Sequence, residues 1–401
     1  MTQNTLTPPL SPVRTVPTLD SLNASQRAAI LSIPRHDSEQ AVPPSIEASR
    51  SAQCFLDPQR YALEQQQVFQ RLPVPVAVSA LLPEAGSVVA VDSYGIDMLL
   101  TRDRQGVVRA FLNACTHKGA MLVEDAAPKR AGRLTCPYHA WSFGLDGQLL
   151  AVPREETFVG LCKDKRPLAQ LACHEAGGLI WVGLDRQRDY DFSQIDAQLV
   201  ADFESLNLPR LHLYGRKIFD LKANWKLVLE PFLEAYHVRR LHARSVGPLF
   251  ADVTSVFHHL GRNLRQVSGK VNFDPDDVVA SDDNIHKSVT FAYQVFPNLV
   301  VVTSPYYISV MILAPRGVDR TVVDYVMLTR EPADNPKAEE LFAKSYEMII
   351  GVFGGEDFRA AEISHRGLAA GAIPDLVYCG LEEMIPRYYE TLDRELAIDK
   401  P

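Results

Sequence analysis

NACTHKGAM at residues 113–121 and TCPYHAWSF at residues 135–143 determine how this chain folds and what it can bind. They contain a C-x-H and a C-x-x-H pair, and each pair follows a β-rich run, so both are predicted to lie on loops. The four candidate ligands are Cys115, His117, Cys136 and His139. Two thiolates can hold one iron of a two-iron cluster while two imidazoles hold the other. The same four residues also suit a tetrahedral zinc ion, so the ligand set alone leaves both sites open.

The bulk composition is that of an ordinary globular protein. The chain has 401 residues, of which 46% are hydrophobic and 22% are charged, which favours two or three domains. The net charge is −8 and the basic clusters are doublets such as Arg239-Arg240, which argues against nucleic acid or an anionic membrane as the main partner. Residues 1–20 lack the apolar core of a secretory signal, and no apolar run is long enough to cross a bilayer. We therefore expect a cytoplasmic protein whose six cysteines are thiols or ligands.

Composition and periodicity divide the chain into three parts. Residues 1–50 are rich in Pro, Ser, Thr and Gln, which predicts an extended or disordered arm. Residues 51–205 are predicted to contain a helix over 58–71, a small antiparallel β-domain and a trailing linker with one short helix. Residues 206–401 combine a helix over about 224–244 with four strands and then three helices. Strands followed by helices, without βαβ alternation, indicate an α+β fold.

The text CTHKGA with CPYHAW resembles the cluster-binding fingerprint of the Rieske [2Fe–2S] family. Four flanking residues fit that family better than a zinc site: Gly119, Pro137, Tyr138 and Trp141. Rieske proteins of respiratory complexes carry a further cysteine in each loop, where this chain has Ala120 and Tyr138. The resemblance is therefore to the oxygenase and ferredoxin branches, with Lys118 where ring-hydroxylating oxygenases commonly have Arg.

A second group of candidate ligands lies in NWKLVLEPFLEAYHVRRLH, residues 224–242. His237 and His242 are separated by about 140° around an ideal helix. Both can reach one metal only if the helix is distorted or ends between them. Alone, such a pair is often two ordinary helical histidines. Two histidines with one carboxylate would leave open positions on an iron for O₂ and substrate.

This segment resembles the iron-binding helix of Rieske oxygenase α subunits, which opens with NWK and ends in YHxxxxH. The resemblance implies that His237, His242 and a distant aspartate hold a mononuclear iron. The matching text is EDFRAAEISHRG at 356–367, which assigns the third ligand to Asp357 and has His365 where the family often has Gln. Two other carboxylates compete for this role: Glu356 and Glu362. An aspartate in the first turn of a helix also commonly serves the helix dipole alone.

Glu234 lies three residues before His237, on the same predicted helix face. In the family this position is usually Asp, which bridges the iron site to a Rieske histidine of the neighbouring subunit. A minority, including enzymes that oxidise quaternary amines, has Glu. The resemblance implies that Glu234 links His237 to His139 of another copy, and the alternative is an exposed Glu on an amphipathic helix. Pro231 stands where many relatives have Asn.

The resemblance also implies a reaction and its participants. The expected fold is a Rieske β-domain followed by a helix-grip domain with a central antiparallel sheet. Electrons from NAD(P)H would pass through a separate reductase, with or without a ferredoxin, to the cluster and then to the iron. There O₂ would insert one or two oxygen atoms into a small organic substrate. No GxGxxG fingerprint is evident, and family members usually work as cyclic homotrimers.

The sequence leaves the substrate open. Aromatic hydroxylation or demethylation, as in mono- and dioxygenases of aromatic hydrocarbon catabolism, is the first expectation, and quaternary-amine oxidation is second because of Glu234. An electron carrier with cluster iron only and a zinc-binding interaction module are the competing functions.

Residues 253–263, 291–298 and 304–312 are predicted to line the pocket. Their aromatic side chains could stack on a ring or surround a cation, although each is as easily a core residue: Phe257, Tyr293, Phe296, Tyr306 and Tyr307. Three further residues there could meet a substrate carboxylate: His258, His259 and Arg262. The cysteines outside the motifs are expected to be structural: Cys54, Cys162, Cys173 and Cys379.

Overall fold

The computed structural model describes residues 16–252 and 255–397. The helices are α1 Ala24–Leu31, α2 Gln53–Leu56, α3 Pro58–Glu64, α4 Ala197–Ser205, α5 Trp225–Leu229, α6 Val238–Leu241, α7 Pro275–Ala280, α8 Pro336–Val352, α9 Phe358–Ala369 and α10 Met384–Glu395. The first strands are β1 Ala48–Ser51, β2 Val74–Val78, β3 Ser87–Ser93, β4 Ile96–Arg102, β5 Val108–Leu112, β6 Lys129–Arg130, β7 Leu134–Thr135, β8 Ser142–Phe143, β9 Leu149–Ala151, β10 Gln170–Leu171, β11 Cys173–Ala176 and β12 Leu179–Val182. The remaining strands are β13 His212–Leu221, β14 Val256–Leu260, β15 Asn263–Gly269, β16 Val289–Val295, β17 Leu299–Thr303, β18 Tyr307–Gly317, β19 Arg320–Thr329 and β20 Asp375–Tyr378. No helix within these described ranges is both long and apolar enough to cross a membrane.

The prediction of an extended or disordered arm over residues 1–50 is wrong for the part that forms α1. This helix begins after Asn23, whose side chain exchanges reciprocal capping hydrogen bonds with Gln26. Ala29 and Ile30 are fully buried, so the helix packs onto the core. A short helix is stabilised by tertiary packing more than by propensity, which is why composition did not indicate it. Residues 1–15 of the predicted arm lie outside the described residues.

Residues 74–182 form the predicted antiparallel β-domain. Its largest sheet has the strand order β10-β5-β4-β3-β6, and β11-β12-β2 and β7-β8-β9 form two smaller sheets. The second cluster motif connects β7 to β8. A separate hydrophobic core surrounds both motifs and includes Phe111, Cys115, Cys136, Trp141 and Phe143. The two cysteines are therefore fixed inside a small core of their own.

The C-terminal part contains the expected central antiparallel sheet, with seven strands in the order β13-β19-β18-β17-β16-β15-β14. In its middle, Gln266 lies opposite Ala292, Ser268 lies opposite Thr290, and Ala292 lies opposite Val302. Alternate residues of a strand share one face of the sheet. These five side chains therefore form a patch on one face, and this face lines the cavity described below.

The prediction of one helix over residues 224–244 is wrong. The segment consists of α5, a 3-10 turn at Glu230–Leu233, an extended Glu234 and then the four-residue α6. Pro231 removes a backbone donor that a continuing helix needs, and Glu234, with φ −153° and ψ 171°, turns the chain out of the helix. The three predicted C-terminal helices are confirmed as α8, α9 and α10, and the short helix predicted in the linker is confirmed as α4.

Buried polar contacts hold α5 against the N-terminal part of the chain. The Glu64 carboxylate accepts hydrogen bonds from Lys226 Nζ at 2.7 and 2.8 Å and from Trp225 Nε1 at 3.0 Å. The side chains of Glu64 and Lys226 are 0% and 1% exposed, so loss of either would leave a buried charge without its partner. This pair fixes the start of the segment that carries His237 and His242.

Candidate functional site

The two cluster motifs fold into the same backbone turn. In the first loop the N–H of Gly119 donates to the carbonyl of Cys115 at 2.9 Å, and in the second the N–H of Ala140 donates to the carbonyl of Cys136 at 3.0 Å. In both loops the N–H of the cysteine donates at 2.8 Å to the carbonyl five residues later. Gly119 and Ala140 both adopt the left-handed conformation, with φ of +78° and +56°. Backbone hydrogen bonds thus set where each cysteine and histidine projects.

These turns bring the four predicted cluster ligands together. Both cysteines are 3% exposed, and the ring centroids of His117 and His139 lie 4.7 Å apart. The Nδ1 atoms of both histidines are buried and have no hydrogen-bond partner, which is costly unless those atoms bind something else. Trp141 stacks on His117 at an interplanar angle of 6° and fixes its ring. Two thiols and two Nδ1 atoms facing inward fit a Rieske cluster.

The local electrostatics favour a neutral His117 and a cation between the sulfurs. Burial, and then His139 and Lys118, lower the pKa of His117. Burial raises the pKa of the Cys115 thiol, which backbone hydrogen bonds from His117 and Lys118 oppose and nearby Cys136 reinforces. Two neighbouring thiols resist ionising together, and bound iron would remove that resistance.

The break in the second histidine segment brings its two histidines to one side. Glu234 Oε2 accepts the backbone N–H of His237 at 3.0 Å, so the extended residue fixes the backbone just before the short helix that follows. His237 precedes α6 and His242 follows it. Their ring centroids lie 5.0 Å apart. The distortion that the five-residue spacing required is therefore present in the structure.

Asp357 approaches both rings from an element far along the chain. It ends the π-helical turn Phe353–Asp357 between α8 and α9, and such turns often occur at functional sites. Its Oδ1 lies 3.4 Å from His237 Nε2 and 3.3 Å from His242 Nε2, and the three donor atoms lie within 4.8 Å of one another. Asp357 is 1% exposed, and neither carboxylate oxygen accepts a hydrogen bond. A buried carboxylate without donors, facing two ring nitrogens, fits a mononuclear iron.

Each of these histidines is also held through its other ring nitrogen. His237 Nδ1 lies 2.5 Å from Glu234 Oε1. His242 Nδ1 is bonded to Glu356 Oε2, which also accepts the Ser245 hydroxyl at 2.8 Å. Carboxylates in this position orient a ligating imidazole and leave Nε2 for the metal. Glu356, which the sequence offered as a competing ligand, contacts the far side of His242 instead.

The carboxylates make this a site that favours positive charge. Burial lowers the pKa of His237, but Asp357 and Glu234 outweigh it and raise that pKa to about 10. Burial opposes protonation of His242 too, and Asp357 and Glu356 again raise its pKa. For Asp357, burial raises the pKa, but the two histidines lower it by more, so the net effect is a decrease. A bound metal cation would take the place of the extra protons that the raised pKa values of His237 and His242 favour.

A cavity of about 360 Å³ opens beside His237, His242 and Asp357. The sheet face described above lines one wall, and five aromatic side chains line others: Phe232, Phe250, Tyr306, Tyr307 and Phe353. Lys270 lines it as well, and no other lysine or arginine of the described residues does. This volume is at the lower end for small-molecule sites, so the cavity suits a small substrate.

Three of the five aromatic residues predicted for the pocket lie elsewhere. Tyr293 is fully buried in the core and donates to Asp202 Oδ2 at 3.0 Å. Phe296 packs against Tyr388, with ring centroids 5.9 Å apart. Phe257 lines a smaller neighbouring pocket. The first two residues of the predicted segment 253–263 lie outside the described residues.

The other polar candidates also have different surroundings. His258, His259 and His365 are absent from the lining of the cavity, among the residues described. Arg262 pairs with Glu395 at 2.5 Å, and Glu362 accepts the backbone N–H of Lys222 at 2.9 Å. Sequence reasoning missed many lining residues, including these aromatic and polar ones: Phe232, Phe250, Gln266, Lys270 and Phe353. The one pattern in the sequence that could have indicated a strand face lining a cavity is the polar side chain at every second position from 266 to 270.

The sequence matches two protein families. Residues 73–172 match the Rieske [2Fe-2S] domain, and residues 208–397 match the catalytic domain of the ring hydroxylating alpha subunit. The carnitine monooxygenase oxygenase subunit of Acinetobacter baumannii is 25% identical over 330 residues, 78% of this chain and 83% of that protein. The choline monooxygenase of Beta vulgaris is 25% identical over 299 residues, 73% of this chain and 65% of that protein.

Solved structures show the same fold. A quaternary ammonium Rieske monooxygenase in complex with L-carnitine superimposes with a TM-score of 0.72 at 20% identity, covering 91% of this chain and 99% of that one. Naphthalene 1,2-dioxygenase from Rhodococcus superimposes with a TM-score of 0.69 at 20% identity, covering 88% and 95%. At these identities the superpositions establish the architecture and leave the substrate open.

Proposed function

We propose that this chain, which belongs to the Rieske-type ring-hydroxylating oxygenases as a catalytic α subunit, oxidises a small quaternary ammonium compound. The observation that carries the proposal is the cavity beside His237, His242 and Asp357, with five aromatic side chains in its wall. Aromatic faces attract quaternary ammonium groups. Similar proteins that align along most of this chain act on carnitine and choline. Glu234, where the family usually has Asp, supports the same substrate class.

We assign the residues of the two metal centres as follows. The cluster would be held by Cys115, His117, Cys136 and His139, and the iron by His237, His242 and Asp357. When bound, these groups supply reductive activation of O₂ with electrons that a separate reductase delivers from NAD(P)H. The cluster histidines would bind through Nδ1, which is buried and unpartnered. The catalytic histidines would bind through Nε2, because carboxylates occupy their Nδ1 atoms.

The chain itself orients the ligands and the substrate. Glu234 and Glu356 each accept a ring N–H, which selects the tautomer with a free Nε2 lone pair and holds the ring plane. The cavity wall beside them is mainly apolar, with residues such as Leu249, Ile349 and Val352. Apolar walls exclude water and strengthen electrostatic contacts inside the cavity. The aromatic rings would hold the ammonium group with one of its carbons next to the iron site.

The proposed reaction replaces one C–H bond beside the ammonium nitrogen with a C–OH bond. One oxygen atom of O₂ enters the product and the other leaves as water, and NAD(P)H supplies the two electrons required. The hydroxyl then loses its proton, a C=O bond forms, and the tertiary amine departs with the electron pair of the C–N bond. The products would be an aldehyde and a tertiary amine.

The test is O₂ consumption by the reconstituted enzyme with a reductase of this family. We expect substrate-dependent uptake with carnitine, glycine betaine or choline, one aldehyde formed per O₂, and about three irons per chain. His237→Ala is the matched control and should consume no O₂. Uptake only with benzoate or naphthalene would reject the ammonium substrate and favour the second candidate, aromatic oxygenation, for which the same five rings could stack on the substrate. Two irons and no uptake would favour the electron carrier.

We further propose that the working unit is a cyclic homotrimer in which Glu234 meets His139 of the neighbouring copy. Large apolar side chains are exposed beside both motifs: Met121 and Tyr138 near the cluster, and Tyr236 and Leu241 near the catalytic histidines. Aromatic and methionine side chains are enriched at protein interfaces. Inter-subunit electron transfer is described for a similar quaternary ammonium monooxygenase.

Mixed assemblies test this arrangement directly. Cys136→Ser removes the cluster and His237→Ala removes the iron, so neither variant alone should turn over. Co-expressed, they should regain activity, because an intact cluster of one copy can serve an intact iron of the next. No recovery in mixed trimers, or full activity of a monomer, would reject the proposal. A ferredoxin partner and a cytoplasmic location stay predictions from the sequence.

A further inference from the structure

Lys270 is a buried cation in the cavity wall. It follows β15 directly, forms an isolated bridge with Phe250, and is 8% exposed. Its Nζ donates one hydrogen bond, to the carbonyl of His286 at 2.6 Å. No carboxylate of the described residues lies within ion-pair distance of it. An ammonium group has three donors, so two remain without an acceptor among the described residues, and Nζ lies 5.9 Å from the ring centroid of Phe250, which also lines the cavity.

A second cation without an acidic partner among the described residues acts on His286, the residue whose carbonyl accepts from Lys270. Arg330 follows β19, and its Nη1 approaches the carbonyl of Pro305, a cavity residue, at 3.5 Å. Its Nη2 is buried without a hydrogen-bond partner. Burial, then Arg330 and Lys270, lower the pKa of His286 well below its usual value, so the two cations and the buried site disfavour a third positive charge on this ring. Burial alone lowers the pKa of Lys270 to about 8 and that of Arg330 to about 10.

Among the described residues that line the cavity, no acidic side chain is available to neutralise these cations. The carboxylates in its wall are Glu234 and Asp357, and both contact the catalytic histidines. Burial of a cation without a counter-charge is expensive, so a protein that keeps one beside its substrate cavity gains from an anion that arrives with the ligand.

We propose that Lys270 is the specificity-determining site for a carboxylate on the substrate. This inference rests on the quaternary ammonium substrate proposed above and narrows it to zwitterions. The aromatic rings would take the ammonium end and Lys270 the carboxylate end. A cation without a carboxylate would meet only repulsion from Lys270, so choline should be the poorest of the three compounds.

The experiment compares carnitine with carnitine methyl ester, which keeps the ammonium group and loses the negative charge. Dissociation constants come from calorimetry with the intact holoenzyme, and KM and kcat from O₂ uptake. In the wild type we expect the ester to bind roughly 10- to 150-fold more weakly, the range for a hydrogen bond to a charged group. Lys270→Met should weaken carnitine binding by the same factor, leave ester binding nearly unchanged, and act on KM more than on kcat. Lys270→Arg should recover part of the preference.

Lys287→Met is the matched control, because it removes an exposed lysine next to His286 and changes the net charge equally. It should leave both ligands unaffected. Equal binding of carnitine and its ester by the wild type would overturn the inference even if Lys270→Met failed to fold. An unchanged carnitine-to-ester ratio in a folded Lys270→Met enzyme would also overturn it.

Failure of the proposed function would look different. In that case no ammonium compound would bind, and the site would be judged with 4-methylvalerate, a carboxylate without an ammonium group. Binding that disappears in Lys270→Met would uphold the carboxylate site and reject only the ammonium substrate. Absence of binding, or binding that Lys270→Met leaves intact, would reject the site as well.

Discussion

The two histidine pairs of this chain use their rings in opposite ways. In the cluster loops the Nδ1 atoms of His117 and His139 are buried and unpartnered. In the catalytic domain His237 and His242 have Nδ1 bound to carboxylates and Nε2 directed at Asp357. The cluster site is placed by backbone hydrogen bonds within two short turns. The catalytic site depends on side chains from elements far apart in the sequence, so it should be more sensitive to changes around its ligands.

The largest effects should come from removing one ligand of each site. Cys136→Ser should abolish the visible absorption of the Rieske cluster, because an alcohol is a poor replacement for a thiolate ligand of iron. His237→Ala should keep that absorption and reduce turnover to background, because it breaks the group of three ligands. Absorption spectra, iron content and O₂ uptake measured on the same preparations separate the two outcomes.

A variant that loses both properties together would contradict the independence of the two sites. So would full activity in His237→Ala, which would show that the iron lies elsewhere. Cys162→Ser is a suitable control, because Cys162 is exposed and lies outside both motifs. It should change neither the absorption nor the turnover.

The next effect sharpens the contrast by changing the carboxylates behind the catalytic histidines. Glu234→Gln and Glu356→Gln each keep an oxygen that can accept the ring N–H but remove a negative charge. Each should lower iron affinity or activity by roughly 10- to 100-fold. At saturating iron the activities of the two variants should differ, because only Glu234 is proposed to reach the neighbouring cluster.

Single-turnover reoxidation of the reduced cluster, with substrate and O₂ present, measures that divergence. Glu234→Gln should stay slow when its iron site is full, whereas Glu356→Gln should return to near the wild-type rate. Wild-type reoxidation in iron-saturated Glu234→Gln would reject the electron path between subunits. It would leave the role of Glu234 in orienting His237 intact.

The same contrast explains which parts of the site the sequence could predict. The cluster ligands lie within two segments of a few residues, and their spacing follows from one kind of turn, so the motif contains nearly all of the geometry. The proposed iron ligands were predicted from resemblance alone, because the two histidines depend on a helix break at Pro231 and Glu234 that periodicity did not indicate. Asp357 lies more than a hundred residues further on, in a π-helical turn that no local pattern predicts.

The cavity was the least predictable part for a related reason. Aromatic residues in strands occur equally in cores and in pockets, and the choice depends on what packs against each face. Tyr293 belongs to the core because Gln26 of α1 and Asp202 of α4 cover it, and α1 itself was predicted to be an extended arm. Lys270 was missed because a lysine after a strand usually reaches solvent.

The smallest predicted effect tests whether the two cluster turns are equivalent. Gly119 and Ala140 occupy matching left-handed positions, and a Cβ built at Gly119 meets nothing within 4 Å. Gly119→Ala should therefore cost the left-handed conformation, about 1 kcal/mol, less about 0.4–1 kcal/mol from the smaller freedom of alanine in the unfolded chain, for a net loss near zero or slightly positive. Ala140→Gly should remove the cost of the left-handed conformation at an exposed position. The greater freedom of glycine in the unfolded chain offsets about 0.4–1 kcal/mol of this gain. The net change in the free energy of unfolding should therefore be near zero or slightly positive.

Thermal unfolding of the cluster-containing protein, followed by loss of the visible absorption, measures both changes. The double variant should unfold close to the wild type, because the strained position has only moved from one turn to the other. Complete loss of the cluster in Gly119→Ala, with Ala140→Gly unaffected, would show that the first loop needs glycine for more than its backbone conformation. In that case the first turn would carry a constraint that the second does not share, and the two loops would not be interchangeable supports for the cluster.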